Sequence, residues 1–184
     1  MNDKIPPHRL HHNAYVTRDL AKTRWFYEDV VGMPLVATWC EKTMLFGKER
    51  VYCHCFFSLN DESALAFFQF ADEDDQQEFG PELPPSGFRH IALKVDKSWQ
   101  EALKQRLLDI QYDKNKYYIL EHGYCNSLYV FDPDGLLVEF CVDHPEVEKI
   151  NAEVLPKAHS ELERWLAGDH HPNNEAYHRQ VPLV

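Results

Sequence analysis

Residues 10–20 read LHHNAYVTRDL, and residues 88–96 read FRHIALKVD. Each reads as a strand ending on an aspartate, Asp19 or Asp96, that can cap a following helix. The first helix carries its apolar side chains at Leu20, Phe26, Tyr27, Val30 and Val31 and is stopped by Gly32 and Pro34. In the second, Trp99, Leu103 and Leu107 recur every four residues on one face. Laid together, His12 falls on His90, Leu10 on Phe88 and Ala14 on Ala92, an offset of 78 residues. Three strand-like runs follow each helix: LVATW, RVYCHCFFSL and ALAFFQFA in the first half, YYILEH, NSLYVFD and LLVEFCV in the second. The order β-α-β-β-β therefore occurs twice, which predicts an α+β chain built from an internal repeat.

The rest of the chain is arranged around that repeat. One domain is expected over residues 8–143, with modules at 8–71 and 87–143. The acidic, Pro- and Gly-containing stretch DEDDQQEFGPELPPSG supplies a linker at 72–86. Residues 144–184 lie outside the repeat: PEVEKINAEVLPKAHSELERWLAG reads as helical and DHHPNNEAYHRQVPLV as a loose end. An apolar content of 44% with 13% aromatic residues suffices for a core and argues against disorder. A formal net charge of −11 disfavours sequence-independent binding to nucleic acid, which needs clustered Lys and Arg. No apolar run approaches the ~20 residues that span a membrane. The N-terminal MNDKIPPHRLHH has no apolar core of a signal peptide. With five cysteines, an odd number, reduced thiols in the cytoplasm are expected. Cys53-His54-Cys55 lacks the second ligand pair of a structural zinc site and reads as strand alternation.

The chemistry concentrates near residue 139. Asp132-Pro133-Asp134-Gly135 is a strong turn signal between two apolar strands, and Glu139 stands in the middle of the second. An unpaired buried carboxylate costs several kcal/mol, so a partner is required. An Arg or Lys would serve. So would a divalent metal held with two imidazoles, and His12 and His90 sit at equivalent places in the repeat. Two His and one carboxylate form the facial triad that leaves positions open on iron(II).

The double β-α-β-β-β order, with a His opening each half and DPDGLLVE closing the second, resembles the vicinal oxygen chelate superfamily over residues 10–142. That group includes glyoxalase I, extradiol dioxygenases, fosfomycin-modifying enzymes and bleomycin-binding proteins. The resemblance implies two βαβββ modules forming a pseudo-symmetric open barrel, followed here by a C-terminal helical tail. It implies His12, His90 and Glu139 as metal ligands, with His12 preferred over His11 by spacing. A fourth ligand common in the superfamily has no carboxylate counterpart in ALAFFQF; Gln69 is the only polar side chain there.

A narrower likeness is to the extradiol dioxygenase signature. The chain offers His122, five residues, Leu128-Tyr129, two residues, Asp132-Pro133-Asp134-Gly135, three residues and Glu139; only Leu120 departs. This implies that His122 and Tyr129 are catalytic, Tyr129 bonding a substrate oxygen and His122 a substrate hydroxyl. The implied reaction is extradiol cleavage of a catechol-type aromatic diol with O2, using Fe(II) ahead of Mn, Zn or Ni. One departure bears on that chemistry: Ser63 stands where the family places an acid–base His, with Asp61, Glu62 and His54 as neighbours that could replace it. A glyoxalase-type isomerase and a metal-free drug-binding protein are the other readings of the same resemblance, and a homodimer is compatible with all three.

Overall fold

The computed structural model describes residues 5–82, 84, 86–174 and the backbone of 179–181. The chain forms two compact units, one of residues 1–85 with 132–136, the other of 86–131 with 137–184. Each contains one of the two expected βαβββ modules.

In unit 1, β1 (His12–Val16) leads into α1 (Leu20–Arg24), which continues as π-helical turns over Trp25–Val31. Asp19 Oδ1 accepts the N–H groups of Ala21 and Lys22, so the expected cap is made. Gly32 ends the helix with φ +94°, a left-handed conformation that glycine adopts without a Cβ penalty. Then come β2 (Leu35–Leu45), β3 (Lys48–Ser58) and β4 (Ala64–Phe70). The sheet order is β1-β4-β3-β2, with β1 parallel to β4 and the other pairs antiparallel. Phe26, Tyr27, Val30 and Val31 are buried together with Phe57, Leu65 and Phe67. The Tyr27 ring lies 4.7 Å from that of Phe67.

The stretch expected as a linker carries a helix, α2 (Glu73–Phe79). It is anchored by charge rather than by an apolar stripe. Asp75, 1% exposed, accepts from Arg50 Nε at 3.1 Å and from Lys48 Nζ at 2.9 Å. The Arg50 guanidinium lies over the Phe79 ring at 5.0 Å.

In unit 2, β5 (His90–Lys94) precedes α3 (Lys97–Asp109), then β6 (Tyr117–Glu121), β7 (Cys125–Phe131) and β8 (Leu137–Asp143). Asp96 occupies the N-cap position but makes no side-chain capping bond. Ile91, Leu93, Leu103, Leu107, Leu128, Val130, Val138 and Phe140 form the core. Gln100 is buried with them, and its Nε2 donates to the carbonyls of Phe140 at 2.7 Å and Asn126 at 3.1 Å. The tail is helical as expected, in α4 (Val147–Val154) and α5 (Ala158–Leu166). Its end departs from the expectation: β9 (Arg179–Val181) pairs antiparallel with β6 and extends the sheet to β5-β8-β7-β6-β9.

The DPDG turn belongs with unit 1. Asp132 is fully buried; its Oδ1 accepts the N–H groups of Asp134 at 2.9 Å and Leu136 at 2.8 Å, and its Oδ2 accepts from the Tyr27 hydroxyl at 3.0 Å. Asp134 accepts from the Thr17 hydroxyl and from Arg18. Burial pushes the Asp132 carboxyl up to about 6, against the pull of those hydrogen bonds. Its folded value lies above the unfolded one of about 4, so the proton binds the folded state more tightly. The contribution to stability is then complete below about pH 4 and is lost as pH rises towards 6. Asp132→Asn keeps both backbone bonds and can donate to Tyr27, so urea unfolding should give stability within about 1 kcal/mol of wild type at pH 7 and a flatter decline over that window. Asp132→Ala strands two backbone donors and should cost about 2–4 kcal/mol in the same assay.

Candidate metal centre

The turn sets the pairing of the strands that leave it. With Phe131 opposite Leu137, Tyr129 falls opposite Glu139 and Ser127 opposite Cys141. On the other side of β8, parallel β5 places Ala92 beside Glu139 and His90 beside Leu137. Since alternate residues share a face, His90, Glu139, Cys141, Tyr129, Ser127 and Cys125 all lie on the sheet face opposite Ile91, Val138 and Phe140.

Glu139 is 5% exposed. Burial raises its pKa, but hydrogen bonds from Ser127, Cys141 and Tyr129 and the charge of His90 outweigh that and leave the carboxyl below its usual range. His90 Nε2 is 2.9 Å from Glu139 Oε2. The other ring nitrogen, Nδ1, is 3.2 Å from the carbonyl oxygen of Gly87, which can only accept, so Nδ1 carries the proton. Nε2 thus turns its lone pair towards a carboxylate oxygen unless a second proton or a cation lies between them. An imidazole anchored at Nδ1 on a carbonyl, with Nε2 presented beside a carboxylate, is how metal-binding histidines are commonly oriented.

His122 and Tyr129 stand next to this pair. His122 follows β6, is 8% exposed, and its Nε2 is 3.0 Å from the Tyr129 hydroxyl and 3.9 Å from Glu139 Oε1. The single hydroxyl proton of Tyr129 goes to Glu139, so His122 is the donor to Tyr129. Burial, and then the bond to Glu139, hold the Tyr129 hydroxyl far above its ordinary pKa. Unit 2 therefore brings together four of the five predicted site residues.

The fifth, His12, lies on β1 of unit 1. Its Nδ1 is 2.8 Å from Nδ1 of His11, so the histidine passed over by spacing is its hydrogen-bond partner. The His12 ring lies 5.6 Å from Phe56 and 6.4 Å from His54. His54 itself stacks on Phe68 at 3.6 Å, and burial lowers its pKa. Ser63 is buried and its hydroxyl and N–H both bond Asp61, closing the turn before β4. Gln69 is committed elsewhere: its Oε1 accepts the N–H of Leu20 at the start of α1, at 3.0 Å. The repeat shows where a fourth ligand would fall. Ala14 pairs with Ala66 as Ala92 pairs with Glu139, so the position matching Glu139 holds an alanine.

Ser127, Cys125 and Cys141 are neighbours of Glu139 that the sequence reading missed. The signal was available: counting outwards from the DPDG turn brings Ser127 against Cys141.

A family model of the glyoxalase/bleomycin resistance protein/dioxygenase superfamily matches residues 9–140. The chain belongs to that superfamily. A superfamily assignment agrees with the fold likenesses. FosX, a genomically encoded fosfomycin resistance protein from Listeria monocytogenes, superposes with a TM-score of 0.55 at 17% identity, over 77% of this chain and 98% of that one. FosX from Mesorhizobium loti gives 0.52 at 18% identity, over 79% and 98%. A glyoxylase/bleomycin resistance protein/dioxygenase domain from Frankia sp. EAN1pec gives 0.55 at 14%, over 76% and 95%. In sequence the chain is 29% identical over 138 residues to YwbC of Bacillus subtilis (strain 168), itself described as uncharacterized, covering 72% of this chain and 95% of the relative. In this chain the position matching Glu139 is Ala66, and Gln69 accepts the N–H of Leu20 at the helix start. Gln69→Ala should lower stability by about 1 kcal/mol through the lost Leu20 bond. Titration calorimetry with a divalent metal should find its affinity unchanged, whereas a ligand role for Gln69 would weaken it.

Proposed function

We propose that this chain is a metal-dependent enzyme in which His12, His90 and Glu139 hold a divalent metal, and that it cleaves a catechol-type aromatic diol with O2 in the extradiol manner. The observation that carries the metal is the 2.9 Å approach of His90 Nε2 to Glu139, with Nδ1 already committed to Gly87. A cation between the two donors satisfies both at once. His12 is assigned by its place in the repeat. Fe(II) is the first choice, because two imidazoles and one carboxylate leave coordination positions open. Mn(II) is the second; a Listeria monocytogenes FosX of the same fold is complexed with Mn(II).

A metal held by His12, His90 and Glu139 would supply Lewis acidity for a vicinal diol substrate and its reaction with O2. The side chains do the rest. Glu139 supplies the negative charge that keeps a cation in a largely desolvated place. Once a cation takes up Glu139, the Tyr129 hydroxyl, kept protonated by burial, turns its one proton from that carboxylate to a substrate oxygen arriving beside the metal. His122 Nε2–H, 3.0 Å from that hydroxyl, fixes its direction and can pass a proton along the same line. Ala66 in place of a fourth carboxylate weighs against a glyoxalase-type isomerase, which would need that group to move a proton. The burial of Glu139 weighs against a metal-free drug-binding role, which gives no reason to place a carboxylate there.

Protein purified without oxygen and loaded with Fe(II) should take up O2 and form a yellow ring-fission product with a member of a catechol panel. His90→Ala and Glu139→Ala should lower metal affinity by about 100-fold or more, beyond what loss of an outer partner gives. Tyr129→Phe should keep the metal and lose roughly 100-fold in kcat. Metal bound without O2 uptake across the panel would remove the dioxygenase assignment, and failure to bind any divalent metal would remove the enzymatic reading altogether.

A further inference from the structure

Glu139 has a second set of neighbours that the proposed function does not use. A sulfur of Cys125, a sulfur of Cys141 and a carboxylate oxygen of Glu139 all lie within 4.8 Å of one another. Cys125 and Glu139 are buried and Cys141 is half-buried. The Ser127 hydroxyl bridges the thiols, 3.4 Å from Cys125 Sγ and 3.5 Å from Cys141 Sγ. Two free thiols buried in a sheet are ordinarily small apolar fillers. Here they converge on a carboxylate instead of on apolar side chains, and that convergence needs another account.

We propose that Cys125, Cys141 and Glu139 form a binding site for a thiophilic divalent ion of the Zn(II) class. Tetrahedral zinc, with Zn–S bonds of about 2.3 Å and Zn–O of about 2.1 Å, holds its donors roughly 3.5–3.8 Å apart. The three donors therefore need to draw in by about 1 Å at most. Each thiol releases its proton as its sulfur bonds the ion, so two thiolates, one carboxylate and one dication leave a single negative charge. The fourth position stays open to water or another small ligand, as in three-ligand zinc sites. This site shares Glu139 with the function proposed above and uses neither of its imidazoles, so one carboxylate serves either donor set but not both. Among the described residues Cys40, Cys53 and Cys55 offer no comparable set: Cys53 Sγ lies 3.8 Å from Cys40 Sγ and 3.9 Å from Cys55 Sγ, but the three do not converge with a carboxylate as Cys125, Cys141 and Glu139 do.

The test uses the full-length, metal-free, reduced chain titrated with Co(II) as a coloured substitute for Zn(II). Thiolate ligation gives an intense near-ultraviolet sulfur-to-cobalt charge-transfer band, which imidazole and carboxylate ligands do not. The expected result is such a band, bleached by Zn(II), lost in Cys125→Ser and in Cys141→Ser, and retained in His90→Ala and Cys40→Ser. Absence of the band from the wild-type protein overturns the proposal, as does its survival in the Cys125→Ser/Cys141→Ser double variant. Its loss in His90→Ala overturns it too. A second measurement needs no variant: Zn(II) should slow iodoacetamide labelling of Cys141, mapped by mass spectrometry, by about tenfold, since a bound thiolate is withdrawn from attack. Equal labelling with and without Zn(II) overturns the proposal as well. Failure of the imidazole centre has a different signature, an Fe(II) affinity that does not change in His90→Ala.

Discussion

The register of the β7–β8 hairpin is the constraint on which the rest of unit 2 depends. A slip of one residue would send Glu139 to the side of Val138 and Phe140, into the apolar core, and turn Phe140 outwards. The turn prevents it. Gly135, with φ +88°, takes a conformation that a side chain would strain, and Asp132 accepts the backbone N–H groups of Asp134 and Leu136. Those bonds fix Phe131 against Leu137, and everything upstream follows by counting: Tyr129 against Glu139, then Ser127 against Cys141. The buried Tyr27–Asp132 bond ties the same turn to the helix of unit 1, so the hairpin's loop is set by side chains more than a hundred residues away in the chain.

The two halves of the repeat keep the same frame and fill it differently. In unit 2 the face bearing His90 gathers hydroxyls, thiols and a carboxylate. In unit 1 the register places Phe56, Phe68 and Ala66 on the face bearing His12, with His54 stacked on Phe68 and tilted against Phe56. Ala66 is fully buried there, beside the strand that carries Phe56. The equivalent strand positions thus hold Glu139 in unit 2 and Ala66 in unit 1.

What the sequence made legible is what local physics decides. Asp19 and Gly32 bound the first helix because capping and left-handed turns need few neighbours. Trp99, Leu103 and Leu107 marked α3 because one apolar face has a period, and DPDG marked the turn because Asp and Gly suit its backbone. The misses depended on partners distant in sequence. The helix at Glu73–Phe79 has no apolar stripe; it is held by Arg50 and Lys48, some 25 residues earlier, through Asp75. Strand Arg179–Val181 exists only as the partner of Ile119–Glu121. Gln69 looked like the one polar side chain available as a ligand, but the helix start at Leu20, 49 residues away, takes its oxygen. The thiols at 125 and 141 show no ligand spacing, because strand pairing and not sequence separation brings them to Glu139.

A carboxylate flanked by imidazole on one side and thiols on the other offers hard and soft donor sets side by side. The first-row affinity order, which climbs to copper and falls at zinc, is much the same for most donors, so preference has to come from ligand type. The His90 side offers nitrogen and oxygen, which suit iron(II) and manganese(II). The Cys125–Cys141 side offers sulfur, which suits zinc(II) and softer ions. Burial pushes both thiols up, so in the absence of a soft ion they remain protonated and donate towards oxygen acceptors. In that state the Cys141 thiol bonds Glu139 and helps to keep the carboxylate charged. On the proposed assignments, a soft ion bound by the two thiolates would compete with the imidazole side for Glu139, the one carboxylate common to both donor sets.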